Sequence, residues 1–126
     1  MYNHTYELIC FAAKGTSNIY KSNVKRFPPL NSKTKEKKEH PTQKPTALIS
    51  ELITDCTKEG DLILDCFGGS CTTAVSAIYN KRNFICFEQD EKYVEIGEQR
   101  VEEARKIYDA PSIELPSNEL FIKNDN

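Results

Sequence analysis

"DCFGGSCTT", residues Asp65–Thr73, is the stretch whose reading decides the fold. The apolar run "LIL" precedes it, and "AVSAIYN" follows, with Ala74, Ala77 and Ile78 spaced for one helical face. A strand that ends in a glycine turn and opens straight into a helix leaves unpaired backbone N–H groups and a positive dipole end beside the turn. Gly68 and Gly69 lack Cβ atoms, so the chain can bend sharply and a ligand can approach the backbone. The helix is expected to begin near Ser70, with Thr72 and Thr73 adding hydroxyls at that end.

Downstream, "KRN" turns the chain into a second apolar run, "FICFE" (Phe84–Glu88). "DEKYVEIGEQRVEEARKIY" (90–108) then reads as an amphipathic helix, with Tyr93, Ile96, Val101 and Ala104 spaced for burial and an acidic, solvated surface. Upstream lies "HPTQKP" (His40–Pro45), whose two prolines each fix a backbone angle and disfavour helix in the residue before. A helix is expected immediately after it, on the apolar stripe Leu48, Ile49, Leu52 and Ile53, and "KEGD" (58–61) turns the chain toward the first strand. "TYELICFAA" (Thr5–Ala13) reads as a further strand, closed by the turn signal "KGTSN". The βαβα order predicts a doubly wound α/β sheet whose parallel strands are buried on both faces.

At 126 residues the chain is one small domain or a piece of a larger one. Its 29% charged and 38% apolar residues are ordinary for a globular protein, and no apolar run approaches the length of a membrane span. The first fifteen residues have neither a basic start nor a long apolar stretch, so no signal peptide is expected. The net charge of −2 conceals an asymmetry: Lys21–Thr46 carries eight basic and two acidic residues, a net +6. This stretch reads either as a solvated loop or as a strip that meets phosphates, through Lys21, Lys25, Arg26, Lys33, Lys35, Lys37 and Lys38. The five cysteines form no CxxC pair, and Cys10, Cys66 and Cys86 sit in apolar runs where a thiol behaves as a small hydrophobe. Reduced thiols in a cytoplasmic protein, without a metal site, are the simplest expectation.

Glu88 stands at the end of the second strand, 23 residues after Asp65. An acid at that place suits hydrogen bonds from two ribose hydroxyls. GxGxxG and GxxxxGK[ST] are both absent, which argues against a dinucleotide and against a P-loop triphosphate. A ribose-binding acid with an anion site at a helix start points to a nucleoside with a charged tail, and S-adenosylmethionine fits.

"HPTQKP", then "GDLILDCFGGSCTT" (60–73), then "FEQDEKY" (87–93) together resemble the C-terminal half of the amino-group DNA methyltransferases. These enzymes methylate the exocyclic amine of adenine or cytosine with S-adenosylmethionine. The motif order resembles the β-class permutation, and the match runs from about Thr5 to Lys106. The resemblance implies a partial, doubly wound Rossmann-like methyltransferase fold. It places Thr42 and Lys44 near the methionine end of the cofactor, in a loop shaped by His40, Pro41 and Pro45. Asp65, Cys66, Phe67, Gly69, Ser70 and Thr72 fall on the family's strand end, F-x-G-x-G turn and helix start. Glu88 falls on the ribose acid, with Gln89 and Asp90 beside the adenine. Two alternatives stay open: His40 as a loop residue that caps a backbone group, and Asp90 as the N-cap of the long helix.

The chain departs from the family pattern in three cysteines. Cys71 replaces the final glycine of F-x-G-x-G, Cys66 stands where proline is common, and Cys86 where glycine is frequent. Cys71 is expected just inside the helix with a negative φ, its thiol near the methionine moiety. A fourth departure is larger. The catalytic tetrapeptide [DNS]-P-P-[YFW], which holds the target amine and stacks on the flipped base, has no counterpart, because "FPPL" (27–30) lacks both the polar acceptor and the following aromatic. No catalytic residue is therefore assigned.

On this reading residues 1–108 form a truncated methyltransferase domain, with a strand (5–13), a basic loop (14–39) and a cofactor-binding βαβα unit (40–108), and 109–126 form a loose tail. The expected partners are double-stranded DNA, a polypeptide supplying the catalytic half, and a second copy of the chain across uncovered apolar edges. Two other readings remain: a non-catalytic remnant that binds S-adenosylmethionine or DNA weakly, and an unrelated small nucleotide-binding domain.

Overall fold

The structure is a computed structural model that describes residues 9–10, 12–15, 27 and 43–108. Helix α1 (Thr46–Cys56), strand β1 (Leu62–Asp65), helix α2 (Thr72–Tyr79), strand β2 (Asn83–Cys86) and helix α3 (Glu91–Tyr108) follow one another along the chain. The strands pair in parallel, with Leu62 opposite Asn83 and Asp65 opposite Cys86, and α2 is the crossover between them. This is the expected βαβα unit.

Pro45 occupies the N-cap position of α1, and its carbonyl accepts the N–H groups of Leu48 and Ile49 at 3.0 and 3.3 Å. The helix stops where Thr57 turns extended, and both the Thr57 hydroxyl and its N–H bond the Ile53 carbonyl. Ile49 and Ile53 from the expected stripe pack on the core. Helix α2 is buried over most of its circumference, through Ala74, Val75, Ser76, Ala77 and Ile78, because α1, α3 and the sheet all pack on it. The Ser76 hydroxyl bonds the Thr46 carbonyl at 3.2 Å and so ties α2 to the start of α1. At the other end of α2, Arg82 donates to the Thr57 hydroxyl, the Thr57 carbonyl and the Asn80 carbonyl.

Four expectations are corrected. The first is burial of both sheet faces. Ile63, Phe84 and Cys86 face the core, but Leu62 and Leu64 alternate to the other side and are each 60% exposed. All three helices contribute to the core on one face, so no described element covers the second. The second concerns α3, where Val94, Gly97, Val101 and Ala104 are buried and Tyr93 and Ile96 are only half-buried. The small Gly97 lets the helix seat along the row 94–97–101–104, one residue out of phase with the larger side chains at its start. The third is that Cys10 and Cys66 are exposed, Cys66 because β1 has already ended at Asp65. The fourth is that Ile9, Cys10, Ala12 and Ala13, the described part of the strand expected over 5–13, are not in a strand. The rest of that segment, the tail 109–126 and all of the loop 14–39 except Lys14, Gly15 and Phe27 lie outside the described residues.

Candidate functional site

The site is built where β1 ends. The Asp65 carbonyl accepts the Phe87 N–H at 2.9 Å, and the Gly68 N–H donates to the Phe87 carbonyl at 2.8 Å. The chain leaving β1 therefore folds back across the tip of β2. A Cβ on Gly68 would stand 2.9 Å from Cys86 Sγ, 3.3 Å from the Phe87 carbonyl oxygen and 3.5 Å from Cys71 Sγ, so only glycine fits without displacement. The Asp65 carboxylate accepts the Phe67 N–H at 3.0 Å and braces the bend, while the Phe67 ring is 91% exposed at its rim. Cys66, between them, is exposed.

Gly69 and Cys71 are both left-handed, with φ of +53° and +56°, and the Cys71 N–H closes the turn on the Gly68 carbonyl at 2.7 Å. This corrects the expected helical Cys71. Helix α2 starts at Thr72, and Cys71 is its N-cap residue. The turn closes between Gly68 and Cys71, so the backbone must swing through the left-handed region before it can enter the helix, which explains the family's preference for glycine there. Cys71 is wholly buried under the turn beside Cys86, not at the outer surface. The hydrogen bond with Cys71, which favours the protonated Cys86 thiol, and burial hold that thiol well above the ordinary thiol range, so it is neutral and unreactive at pH 7.

Glu88 joins the turn to the loop after β2. One carboxylate oxygen accepts the Gly69 N–H at 2.7 Å, and the other accepts the N–H groups of Gln89 and Asp90 at 2.8 and 2.9 Å. A carboxylate offers about four acceptor positions, so three are filled and one remains for a ribose hydroxyl. A second hydroxyl would replace one of the N–H groups. The residues thus fit a ribose, with Glu88 already fixed in place. Gln89 is exposed, and Asp90 accepts the Lys92 N–H at 3.0 Å as the N-cap of α3.

Ser70 and Thr72 are buried, and their hydroxyls face a polar network. The Ser70 hydroxyl donates to Gln43 Oε1 at 3.1 Å, which brings the "HPTQKP" segment to the glycine turn. Arg100 on α3 donates to the Ser70 carbonyl at 2.5 Å, to its hydroxyl at 3.0 Å and to the Thr72 hydroxyl at 3.1 Å. Sequence reasoning missed both Gln43 and Arg100. Gln43 lies inside a motif already singled out and was within reach of it. Arg100 carried no signal, since one arginine on the polar side of a helix reads as surface. Lys44 is half-buried, next to Gln43 near the end of the same segment. His40, Pro41, Thr42 and the basic residues Lys21, Lys25, Arg26, Lys33, Lys35, Lys37 and Lys38 lie outside the described residues.

A solved structure, that of a complex of M1.HpyAVI with SAM, resembles this chain with a TM-score of 0.52 and 38% identity, over 54% of this chain and 33% of that one. The arrangement of strands and helices is thus the partial Rossmann-like methyltransferase fold, and the cofactor expectation agrees with that neighbour's ligand. The Type II methyltransferase M2.MboI of Moraxella bovis is 39% identical over 82 residues, 65% of this chain and 30% of the relative. The DNA adenine methyltransferase YhdJ of Escherichia coli (strain K12) is 40% identical over 82 residues, 65% of this chain and 28% of the relative. The Type II methyltransferase M.HinfI of Haemophilus influenzae is 30% identical over 93% of this chain and 38% of its own length. The chain spans about a third of the length of the relatives it matches. The model of the DNA methylase family that acts on N6 and N4 amines matches residues 2–99, and the chain belongs to that family.

Proposed function

We propose that this chain is the S-adenosylmethionine-binding part of a site-specific DNA methyltransferase acting on the exocyclic amine of adenine, with cytosine the less favoured target. The observation that carries the reading is Glu88, held at the tip of β2 by three backbone N–H groups and bonded directly to the glycine turn. Its free acceptor position takes a ribose hydroxyl, and the exposed Phe67 ring offers an apolar flank for a flat base or the thioether arm. The cofactor, when bound, supplies an activated methyl group. The chain's own residues bind and orient it, and Asp65 braces the bend that presents Phe67.

The 126 residues contain no [DNS]-P-P-[YFW] sequence, so they hold no group to accept the target amine's hydrogen bonds. Methyl transfer then needs a catalytic half from elsewhere, and this segment alone is inactive. The basic stretch 21–38 meets the phosphates of double-stranded DNA, in a cytoplasmic setting. The bare sheet face at Leu62 and Leu64 accepts the catalytic half or, in its absence, a second copy of the chain. Residues 1–108 act as one truncated domain, with 109–126 as a tail. Among the described residues no helix is long and apolar enough to cross a membrane. One observation favours a second reading, a non-catalytic remnant that binds the cofactor or DNA weakly. The strained Cys71 occupies the turn's last glycine position.

Calorimetric titration with S-adenosylhomocysteine tests the proposal, beside Glu88→Ala and Glu88→Gln. Wild-type binding that Glu88→Ala abolishes and Glu88→Gln weakens is expected. A folded wild-type chain that gives no heat refutes the cofactor reading.

A further inference from the structure

We propose that Arg100 is a positioning residue of the cofactor turn, holding the glycine loop and the "HPTQKP" segment in one arrangement and adding positive charge where an anionic ligand end is bound. The inference rests on the cofactor reading above, and it concerns a residue three turns along α3, away from the motifs. Arg100 donates to the Ser70 carbonyl, the Ser70 hydroxyl and the Thr72 hydroxyl, which lie on the turn and the first residue of α2. The Ser70 hydroxyl receives from Arg100 and donates to Gln43, so one buried group carries the link from α3 through the turn to the segment before α1. Removing the guanidinium frees all three oxygens at once and leaves the buried Ser70 hydroxyl held from one side only.

The sign of the charge gives the second argument. The start of α2 is the positive end of its dipole, so a cation there is unfavourable and an acid would suit the isolated fold better. Here three oxygens hold a guanidinium at that end. A cation placed against the dipole raises the local field that a carboxylate feels, and the amino-acid end of S-adenosylmethionine carries one. Arg82 at the opposite end of α2 provides the internal contrast. It too makes three hydrogen bonds, to Thr57 and Asn80, but it stands at the negative end and away from the glycine turn. The two arginines both tie α2 to its neighbours and differ in place.

The experiment is titration of the full chain with S-adenosylhomocysteine, using Arg100→Gln, Arg100→Lys and Arg82→Gln. Hydrogen exchange of the amides of residues 68–73 is followed alongside. Arg100→Gln is expected to weaken binding roughly tenfold and to speed exchange in the turn, the loss one charge-assisted bond represents. Arg100→Lys keeps the charge and regains at least a third of the loss on a logarithmic scale. Arg82→Gln lowers the melting temperature and leaves affinity within about twofold, since its bonds serve packing alone. Equal affinity in Arg100→Gln and a binding wild type overturns the proposal and leaves the cofactor reading intact. An Arg82→Gln loss as large as that of Arg100→Gln also overturns it, because general stability then accounts for both. A wild type that does not bind overturns the cofactor reading, and this assignment with it.

Discussion

Cys71 is the residue whose replacement discriminates most sharply. Its φ of +56° lies in the left-handed region, where a residue with a Cβ bears roughly 1–2 kcal/mol of strain. At an ordinary helical position alanine is more stable than glycine by about 0.5–1 kcal/mol, and burial of its Cβ adds about 0.8 kcal/mol. Glycine there would trail alanine by roughly 1.3–1.8 kcal/mol on those two grounds. At Cys71 relief of the left-handed strain offsets nearly all of that. Cys71→Gly and Cys71→Ala are therefore expected to have unfolding free energies within about 0.5 kcal/mol of each other. Both fall below wild type by about 1 kcal/mol for the lost buried thiol. Urea unfolding followed by far-ultraviolet circular dichroism, with equal m-values as the check on two-state behaviour, measures this. A glycine variant less stable than the alanine variant by 1.5 kcal/mol or more would refute the left-handed assignment. Because the thiol is buried under the turn, neither variant should change affinity for S-adenosylhomocysteine by more than about threefold.

The raised Cys86 thiol predicts a pH dependence of stability. Above pH 9, near the ordinary thiol value, the unfolded chain releases a proton that the native state retains, so stability is full below that pH and falls as pH rises. The loss attributable to this thiol approaches about 1.4 kcal/mol per pH unit, and Cys86→Ala should remove it from urea curves taken between pH 8 and 11. The bare sheet face predicts self-association. Light scattering should find wild type larger than a monomer, and Leu62→Lys with Leu64→Lys monomeric, with stability changed by less than about 0.5 kcal/mol because both side chains are already exposed. A wild type that is monodisperse and monomeric would remove the grounds for an apolar docking face.

Much of this was legible from local pattern. Leu62–Asp65 is a short apolar run between turn residues, Pro45 marks the helix that follows it, and Glu88 stands at a strand end, so the βαβα order and the acid could be read off in sequence. What escaped depends on contacts between distant residues. The φ of Cys71 is set by turn closure onto the Gly68 carbonyl, which no spacing rule encodes. Arg100 joins the site only because α3 packs along α2 and brings residue 100 beside residue 70. The exposure of Leu62 and Leu64 was hidden for the opposite reason. Their apolar character suits a sheet covered on both faces, and the described residues cover one.

Gly68 has a wider consequence. The space its missing side chain leaves is shared by the sulfur atoms of Cys71 and Cys86, each within 3.5 Å of the same point, and the two thiols interact. Two of the three cysteine departures from the family's pattern are therefore one departure, since cysteines at 71 and 86 fill a single volume and interact. Either alone would be poorly accommodated: Cys71 would bear left-handed strain without a partner, and Cys86 would leave a buried thiol against an empty corner. Sequence drift at this turn is accordingly tied. A change at position 71 therefore alters what position 86 can tolerate. Relatives that change only one of the two should show a compensating change in the volume of a third neighbour.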